Sequence, residues 1–210
     1  MDYNVEVFHR WADEYDRWFD RRRALYLSEI AALRAVLPQG RGLEVGVGTG
    51  RFAAPLGVPF GVEPARGMAL LAKERGIEVC IGTAEALPFA SRTFDFLLFV
   101  TVLSFLQDPP RALREARRVL RPKGYVVIGM IDRASHLGRN YEAKKSSNKF
   151  YRRAHFYSTT EALELLKGVD FSPFRICQTV FRDPRDVKGP EPVKEGHGEG
   201  GFVAISARKA

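Results

Sequence analysis

The stretch "GRGLEVGVGTGRFA", residues 40–53, decides how this chain is read. A short strand-like run, "GLEV", leads directly into Gly46, Gly48 and Gly50, which alternate with Val47 and Thr49. Glycine in such places permits a tight turn and lets backbone N–H groups come close to a ligand. The next apolar stretch, "PFGVEP", ends in Glu63 and Pro64. A carboxylate closing a buried strand needs a partner. There it can accept hydrogen bonds from both ribose hydroxyls of an adenosine-containing ligand.

Further along, strand and helix patterns alternate. "ARGMALLAKERG" is a helix closed by Gly76. "IEVCIG" reads as a buried strand, with Cys80 as a plain core thiol. "TFDFLLFVTV" is almost uninterrupted in apolar character, as in a parallel sheet covered on both faces. "DPPRALREARRVL" is a helix with Asp108 at its N-cap and proline in its first turn, and "GYVVIGMI" is the fifth strand. Near the end, "STTEALELLKG" opens with a Ser158-x-x-Glu161 capping box. "FRICQTVF" and "GFVAISAR" follow as strands with no helix between them, so they pair antiparallel or lie in different sheets. The pattern predicts a doubly wound α/β fold: a mostly parallel seven-stranded sheet with one antiparallel strand near its edge.

Before the glycines, Val5, Phe8, Ala12, Tyr15 and Phe19 recur at helical spacing, and a second helix is expected over about 28–37. The 210 residues suit one domain, 1–210, with 1–37 as an N-terminal helical cap. Residues 132–156 form a lid-like insertion, and a second irregular stretch joins the last two strands. Both leave the carboxyl edge of the sheet, where open α/β sheets bind ligands.

Hydrophobic residues make up 45% and charged residues 28%, ordinary proportions for a globular protein. The longest apolar run, "FLLFVTVLSFL", is too short to span a bilayer, and no signal-like segment follows Met1, so the expectation is a cytoplasmic protein with no membrane partner. Cys80 and Cys177 stand alone, which leaves neither a disulfide framework nor a metal site. The net charge of +8 permits an acidic or nucleic-acid partner.

The glycines alone leave several ligands open. No Gly-Lys-Ser/Thr follows them, which removes the P-loop reading. The dinucleotide fingerprint is G-x-G-x-x-G, whereas this loop is G-x-G-x-G with Glu44 two residues ahead of it and Pro55 soon after.

Taken together, "LEVGVGTGRF", "GVEPARGM", "GTAEALPF" and the block from "FDFLLFV" to "GYVVIG" resemble class I S-adenosylmethionine-dependent methyltransferases, in particular the small-molecule branch typified by ubiquinone/menaquinone-biosynthesis enzymes. The resemblance implies a Rossmann-like methyltransferase fold that takes S-adenosylmethionine and leaves S-adenosylhomocysteine. It implies that Gly46, Gly48 and Gly50 approach the methionine end, with Glu44 orienting its amino group. It further implies that Glu63, followed by Pro64, holds the ribose and that Thr83, Ala84 and Glu85 line the adenine. Val100 and Thr101 would pass the sulfonium, and Tyr15 and Tyr26 would fold over the cofactor. Thr83 stands where relatives usually carry Asp, so its hydroxyl or nearby backbone is the expected acceptor for the adenine amino group.

Methyl transfer needs proximity and alignment, and a general base only when the nucleophile arrives protonated. Asp108–Pro110 is the start of a helix rather than the [DN]-P-P-[YF] motif of nucleobase amino-methyltransferases, which belongs at the end of the fourth strand. Candidate bases lie in the irregular stretches: His155 and Tyr157 first, then His136, Tyr141, Glu142 and His197. The basic run Lys144, Lys145, Lys149, Arg152 and Arg153 would draw in an acidic substrate or form a solvated lid face. A small-molecule methyltransferase is the leading reading. The alternatives are a tRNA or rRNA methyltransferase and a non-enzymatic protein that binds the cofactor.

Overall fold

The computed structural model describes residues 3–210. Three helices lead into the sheet: α1 (Tyr3–Arg10), α2 (Ala12–Arg21) and α3 (Arg23–Val36). The single helix expected over residues 5–19 is thus divided at Trp11, and α3 begins five residues before the expected Ser28. Trp11 and Arg22 leave helical geometry with φ of −117° and −118°, and these bends separate α1, α2 and α3.

The alternation then proceeds as β1 (Gly42–Val45), α4 (Ala53–Leu56), β2 (Phe60–Val62), α5 (Arg66–Glu74), β3 (Glu78–Cys80), β4 (Phe94–Val100), α6 (Pro109–Val119) and β5 (Leu120–Ile131). After β5 come α7 (His136–Lys144), α8 (Thr159–Lys167), β6 (Phe171–Thr179), β7 (Lys194–Glu195) and β8 (Phe202–Lys209). The strand order is β3-β2-β1-β4-β5-β8-β6-β7. β1 to β5 pair in parallel, and β8 inserts antiparallel between β5 and β6. The sheet has one strand more than expected, because the charged dipeptide Lys194–Glu195 adds an antiparallel edge to β6. Nothing apolar marks that pair; backbone hydrogen bonding alone recruits it.

Both faces of the sheet are covered. Phe96, Leu98 and Val100 of β4 pack with α3 residues such as Leu33 and Val36, while Leu97 and Phe99 pack with Leu113 of α6 and Leu166 of α8. Local signals set the helix starts. The Asp108 side chain accepts from Arg111 N at 2.9 Å. Ser158 and Glu161 form the complete reciprocal capping box. Residues 132–156 are more regular than the sequence suggested, since Ser135 caps α7 by accepting from Gly138 N at 2.9 Å.

Cys80 is a correction. It is exposed, because β3 is an edge strand rather than a buried one, and Ile81 beside it is 49% exposed. Cys177 is the buried thiol, its Sγ donating to Ala32 O at 3.1 Å.

Gly50 has φ of +81°, and a Cβ there would lie 3.2 Å from Ala72 Cα, so the glycine loop is packed tightly onto α5. Gly50→Ala is expected to lower stability by about 1–3 kcal/mol, read as a lower denaturant midpoint at unchanged slope.

Candidate active site

At the carboxyl ends of β1, β2 and β4 lies a cavity of about 410 Å³. Its floor is the glycine loop. Gly46 N and Val47 N both donate to Val62 O, at 2.8 and 3.0 Å, which folds the loop against β2. Gly46 and Gly48 line the cavity with φ of +67° and +54°, conformations that side chains rarely adopt. Glu63 ties this loop to the next one: Oε2 accepts from Gly48 N and Oε1 from Ala65 N, each at 2.9 Å. Each oxygen keeps a further lone pair for a ligand hydroxyl. Burial outweighs those two bonds and pushes the Glu63 carboxyl up to about 7.

Glu44 is 1% exposed on the same floor. It accepts from the Ala53 backbone, but its Oε2 has no hydrogen-bond partner. Burial pushes this carboxyl well above the usual range, and the neighbouring Glu63 charge adds to the shift. An unpaired buried carboxylate is costly, so a cationic ligand group is the natural partner. Pro64, Thr83, Ala84 and Glu85 form one wall. Glu85 Oε1 accepts from Gln107 N at 3.1 Å, which leaves this wall backed by the start of α6. Val100 and Thr101 form the other wall, and Thr101 has φ of 56°, a strained conformation of the kind found at functional sites.

The methyltransferase-domain family model matches residues 43–128. An uncharacterized protein of Methanocaldococcus jannaschii is 50% identical over 205 residues, 98% of this chain and all of that protein. A solved structure from Thermotoga maritima, described as a SAM-dependent methyltransferase and possible histamine N-methyltransferase, is 48% identical with a TM-score of 0.96, covering 99% of this chain and 100% of that one. The chain belongs to the S-adenosylmethionine-dependent methyltransferases. A Haemonchus contortus phosphoethanolamine N-methyltransferase, crystallised with phosphoethanolamine and S-adenosylhomocysteine, shares the fold at 16% identity and a TM-score of 0.68, over 98% of this chain and 49% of that one.

The cavity fits the cofactor of this methyltransferase family. The orphaned Glu44 oxygen suits the cofactor's amino group, and the bare Gly46–Gly48 backbone admits its chain. Glu63 suits paired hydroxyls. Two expected contacts are not brought to the cavity. Gly50 faces Ala72 instead, so its role is packing. Tyr26 donates to Arg51 O and holds the loop from behind. Arg51, absent from the sequence reading, lines the cavity and clamps Asp16 through Nε and Nη2 at 3.0 and 2.6 Å. Arg75 joins the same carboxylate at 2.8 Å. Burial works against the Asp16 charge, yet these guanidinium groups hold its carboxyl below the ordinary value. This network fixes α2 over the glycine loop.

The roof is aromatic. Phe8 meets Tyr15, Phe105 and Phe150 at ring distances of 5.3, 5.2 and 5.5 Å. Tyr151 stacks on Phe105 at 5.9 Å and meets Tyr141 edge-on at 5.2 Å. Thus α1 and residues 132–156 meet above the cofactor cavity. Burial pushes the Tyr15 hydroxyl up to about 12, although it is hydrogen-bonded to Thr101 and Tyr151.

Behind this roof is a second cavity of about 800 Å³, with Tyr15, Tyr141 and Tyr151 in its wall. His136 reaches its rim but is exposed, and Asn140 shares its Nδ1 at 3.3 Å. Glu142 is paired with Lys145. His155 and Tyr157 are not brought to either cavity. They pack on each other at 4.5 Å, with His155 exposed and held by its backbone to Ser104 O. The reason is the capping box: it fixes Ser158 at the start of α8 and turns these neighbours outward. His197 is exposed in the turn after β7.

One buried group escaped the sequence reading. Glu29 is 5% exposed on α3, and among the described residues it has no hydrogen-bond or ion-pair partner. The signal was available: Leu25, Glu29 and Leu33 form one stripe of that helix, with a charge in the middle. Burial alone pushes its carboxyl up to about 8.

Three outcomes follow for cofactor binding and stability. Glu63→Ala is expected to weaken S-adenosylmethionine binding about 30- to 150-fold, from the loss of about 2–3 kcal/mol, in calorimetric titration. Glu44→Gln is expected to weaken cofactor binding in the same titration, because a neutral amide replaces the carboxyl that would meet the cofactor's amino group. Glu29 and Glu63 hold their protons more tightly folded than unfolded. Their contribution is therefore full below the unfolded value of 4.5 and is lost as pH rises to about 8 and about 7 respectively. Glu29→Gln should flatten that decline in pH-dependent denaturation.

Proposed function

We propose that this enzyme methylates a small-molecule acceptor in the cytoplasm, and that residues 1–37 and 132–156 act as cap and lid over the transfer. The observation that carries the reading is the aromatic roof, in which Phe8 and Tyr15 line the cavity and Phe150 of the 132–156 segment packs against both of them. A roofed cavity suits an acceptor that enters whole better than a polymer that lies across a surface. Among the described residues no helix is long and apolar enough to cross a membrane.

S-adenosylmethionine supplies a methyl group on a sulfonium, and its displacement releases neutral S-adenosylhomocysteine. The protein's part is alignment and exclusion of water, worth up to about 7–11 kcal/mol in favourable cases. Glu44 and Glu63 fix the two ends of the cofactor. Thr101, held by its strained backbone and by the Tyr15 hydroxyl, sits beside the reacting centre.

The second cavity supports an acidic acceptor. Arg21, Arg22, Lys144, Lys145, Lys149 and Arg185 line it, against Glu14 and Asp183. Arg21 and Lys144 have no carboxylate partner among the described residues. The net charge of +8 also favours RNA as a second reading.

Incubation with labelled cofactor and two pools, small organic acids and total RNA, separates these readings. The expected product is a labelled small molecule. Arg21→Glu with Lys144→Glu should then raise KM for an acidic acceptor about fivefold at unchanged kcat, a loss of about 1 kcal/mol. Label appearing only in RNA would overturn the small-molecule reading.

A further inference from the structure

We propose that His9 is a positioning residue that latches α1 over the cofactor cavity through an unprotonated Nδ1 and releases the helix in acid. The inference rests on the reading of residues 1–37 as a cap and names the contact that controls it.

α1 brings Asn4, Val5 and Phe8 to the cofactor cavity, yet none of its eight residues is fully buried. It is therefore held by a small set of contacts rather than by a core of its own. Val5 and Phe8 pack against the buried cluster of Ala12, Ala65 and Met68. The 132–156 segment grips both ends of α1: Arg153 lies 4.3 Å over the Tyr3 ring, and Lys149 Nζ lies 3.7 Å over Trp11.

The remaining hold is a hydrogen bond to the start of α5, where Gly67 N donates to His9 Nδ1 at 2.8 Å. A backbone amide only donates, so this contact requires an Nδ1 without a proton. The approach is close, since a Cβ on Gly67 would stand 2.3 Å from His9 O. Ala65, at the N-cap of α5, supplies no side-chain cap. The first turn of α5 instead takes two outside acceptors, Glu63 Oε1 on Ala65 N at 2.9 Å and His9 Nδ1 on Gly67 N. One comes from the cavity floor and the other from the roof. His9 thus fixes α1 against the same turn that Glu63 holds.

A protonated imidazole carries N–H on both ring nitrogens and cannot accept, which leaves the Gly67 amide facing a donor. The charged groups on the elements around His9 are Glu6 and Arg10 on α1, Asp13 and Glu14 on α2, Arg66 on α5, and Lys149 and Arg153. Glu14 is paired with Lys149 at 2.7 Å. Side chains of these types ordinarily keep their charge from about pH 5.5 to 8, whereas histidine changes its own. The proton therefore favours the released helix: docking is complete above the histidine range and is lost as pH falls through it. An eight-residue helix is marginal by itself, so release also exposes its amides.

The test compares wild type, His9→Asn and His9→Leu at pH 5.5 and pH 8, by hydrogen exchange of the α1 amides and by calorimetric titration with S-adenosylhomocysteine. Asparagine keeps an acceptor on Cγ, where Nδ1 is attached in histidine, but takes up no proton. Leucine keeps the bulk and has no acceptor. Wild type and His9→Asn should exchange alike at pH 8. At pH 5.5 the wild-type amides should exchange about fivefold faster, from the loss of one hydrogen bond. His9→Leu should exchange fast at both pH values. Glu63, pushed up to about 7, also changes charge in this interval, so affinity is read as the ratio of wild type to His9→Asn at each pH. That ratio should fall about fivefold from pH 8 to pH 5.5. Equal exchange in wild type and His9→Asn at pH 5.5 would overturn the latch. An exchange difference with an unchanged affinity ratio would instead overturn the reading of α1 as a cap on the cofactor.

Discussion

The site depends on the Glu63 carboxylate, which accepts the amides of Gly48 and Ala65 and so ties the loop after β1 to the loop after β2. Together with the Gly46 and Val47 amides on Val62 O, that tie holds the positive-φ glycines 46 and 48 over the sheet edge. The carboxylate is 7% exposed and has no cationic partner among the described residues. Two amide donors offset only part of what its burial costs, which is why its proton affinity climbs toward neutrality. Glu44 and Glu29 share this condition. Glu44 and Glu63 thus share one cavity floor with fewer donors than they can accommodate. That pattern suits a protein whose missing donors arrive on its ligands.

Around this acidic floor the remaining structure supplies enclosure. Asp16, Arg51 and Arg75 are fully paired and connect α2, the glycine loop and α5 by side-chain contacts of 2.6–3.0 Å. Such a charged network is directional, so it positions α2 more than it adds stability. The aromatic roof does the apolar part. Its rings meet both edge-to-face, as Phe8 does with Tyr15 and Phe105, and stacked, as Tyr151 does on Phe105, which gives them preferred orientations above the cavity. The pinned α2 and the interlocked rings border the cavity that holds Glu44 and Glu63, an arrangement that favours alignment.

Much of this was legible in the residues. The apolar run at 94–100 announced a strand buried on both faces, and Asp108, Ser158 and Glu161 announced helix starts that the structure uses. Glu44, Gly46, Gly48, Glu63 and Thr101 meet at one cavity because their place at strand ends is a local property of the chain. What was not legible depends on neighbours. Cys80 has apolar flanks, yet β3 lies at the sheet edge and leaves it exposed. Lys194 and Glu195 become a strand only because β6 offers an open edge. Gly50 looks like its two companions until α5 is seen against it. Arg51 and Glu29 were visible as charges, but their partners, or lack of them, come from segments far away in the chain.

The most direct test of the central claim is a crystal structure of the protein with S-adenosylhomocysteine. The account predicts the ligand in the cavity at the ends of β1, β2 and β4, with both ribose hydroxyls on Glu63 and the amino group on the free Glu44 oxygen. A ligand bound elsewhere, or bound there with Glu63 still committed to backbone amides alone, would contradict it.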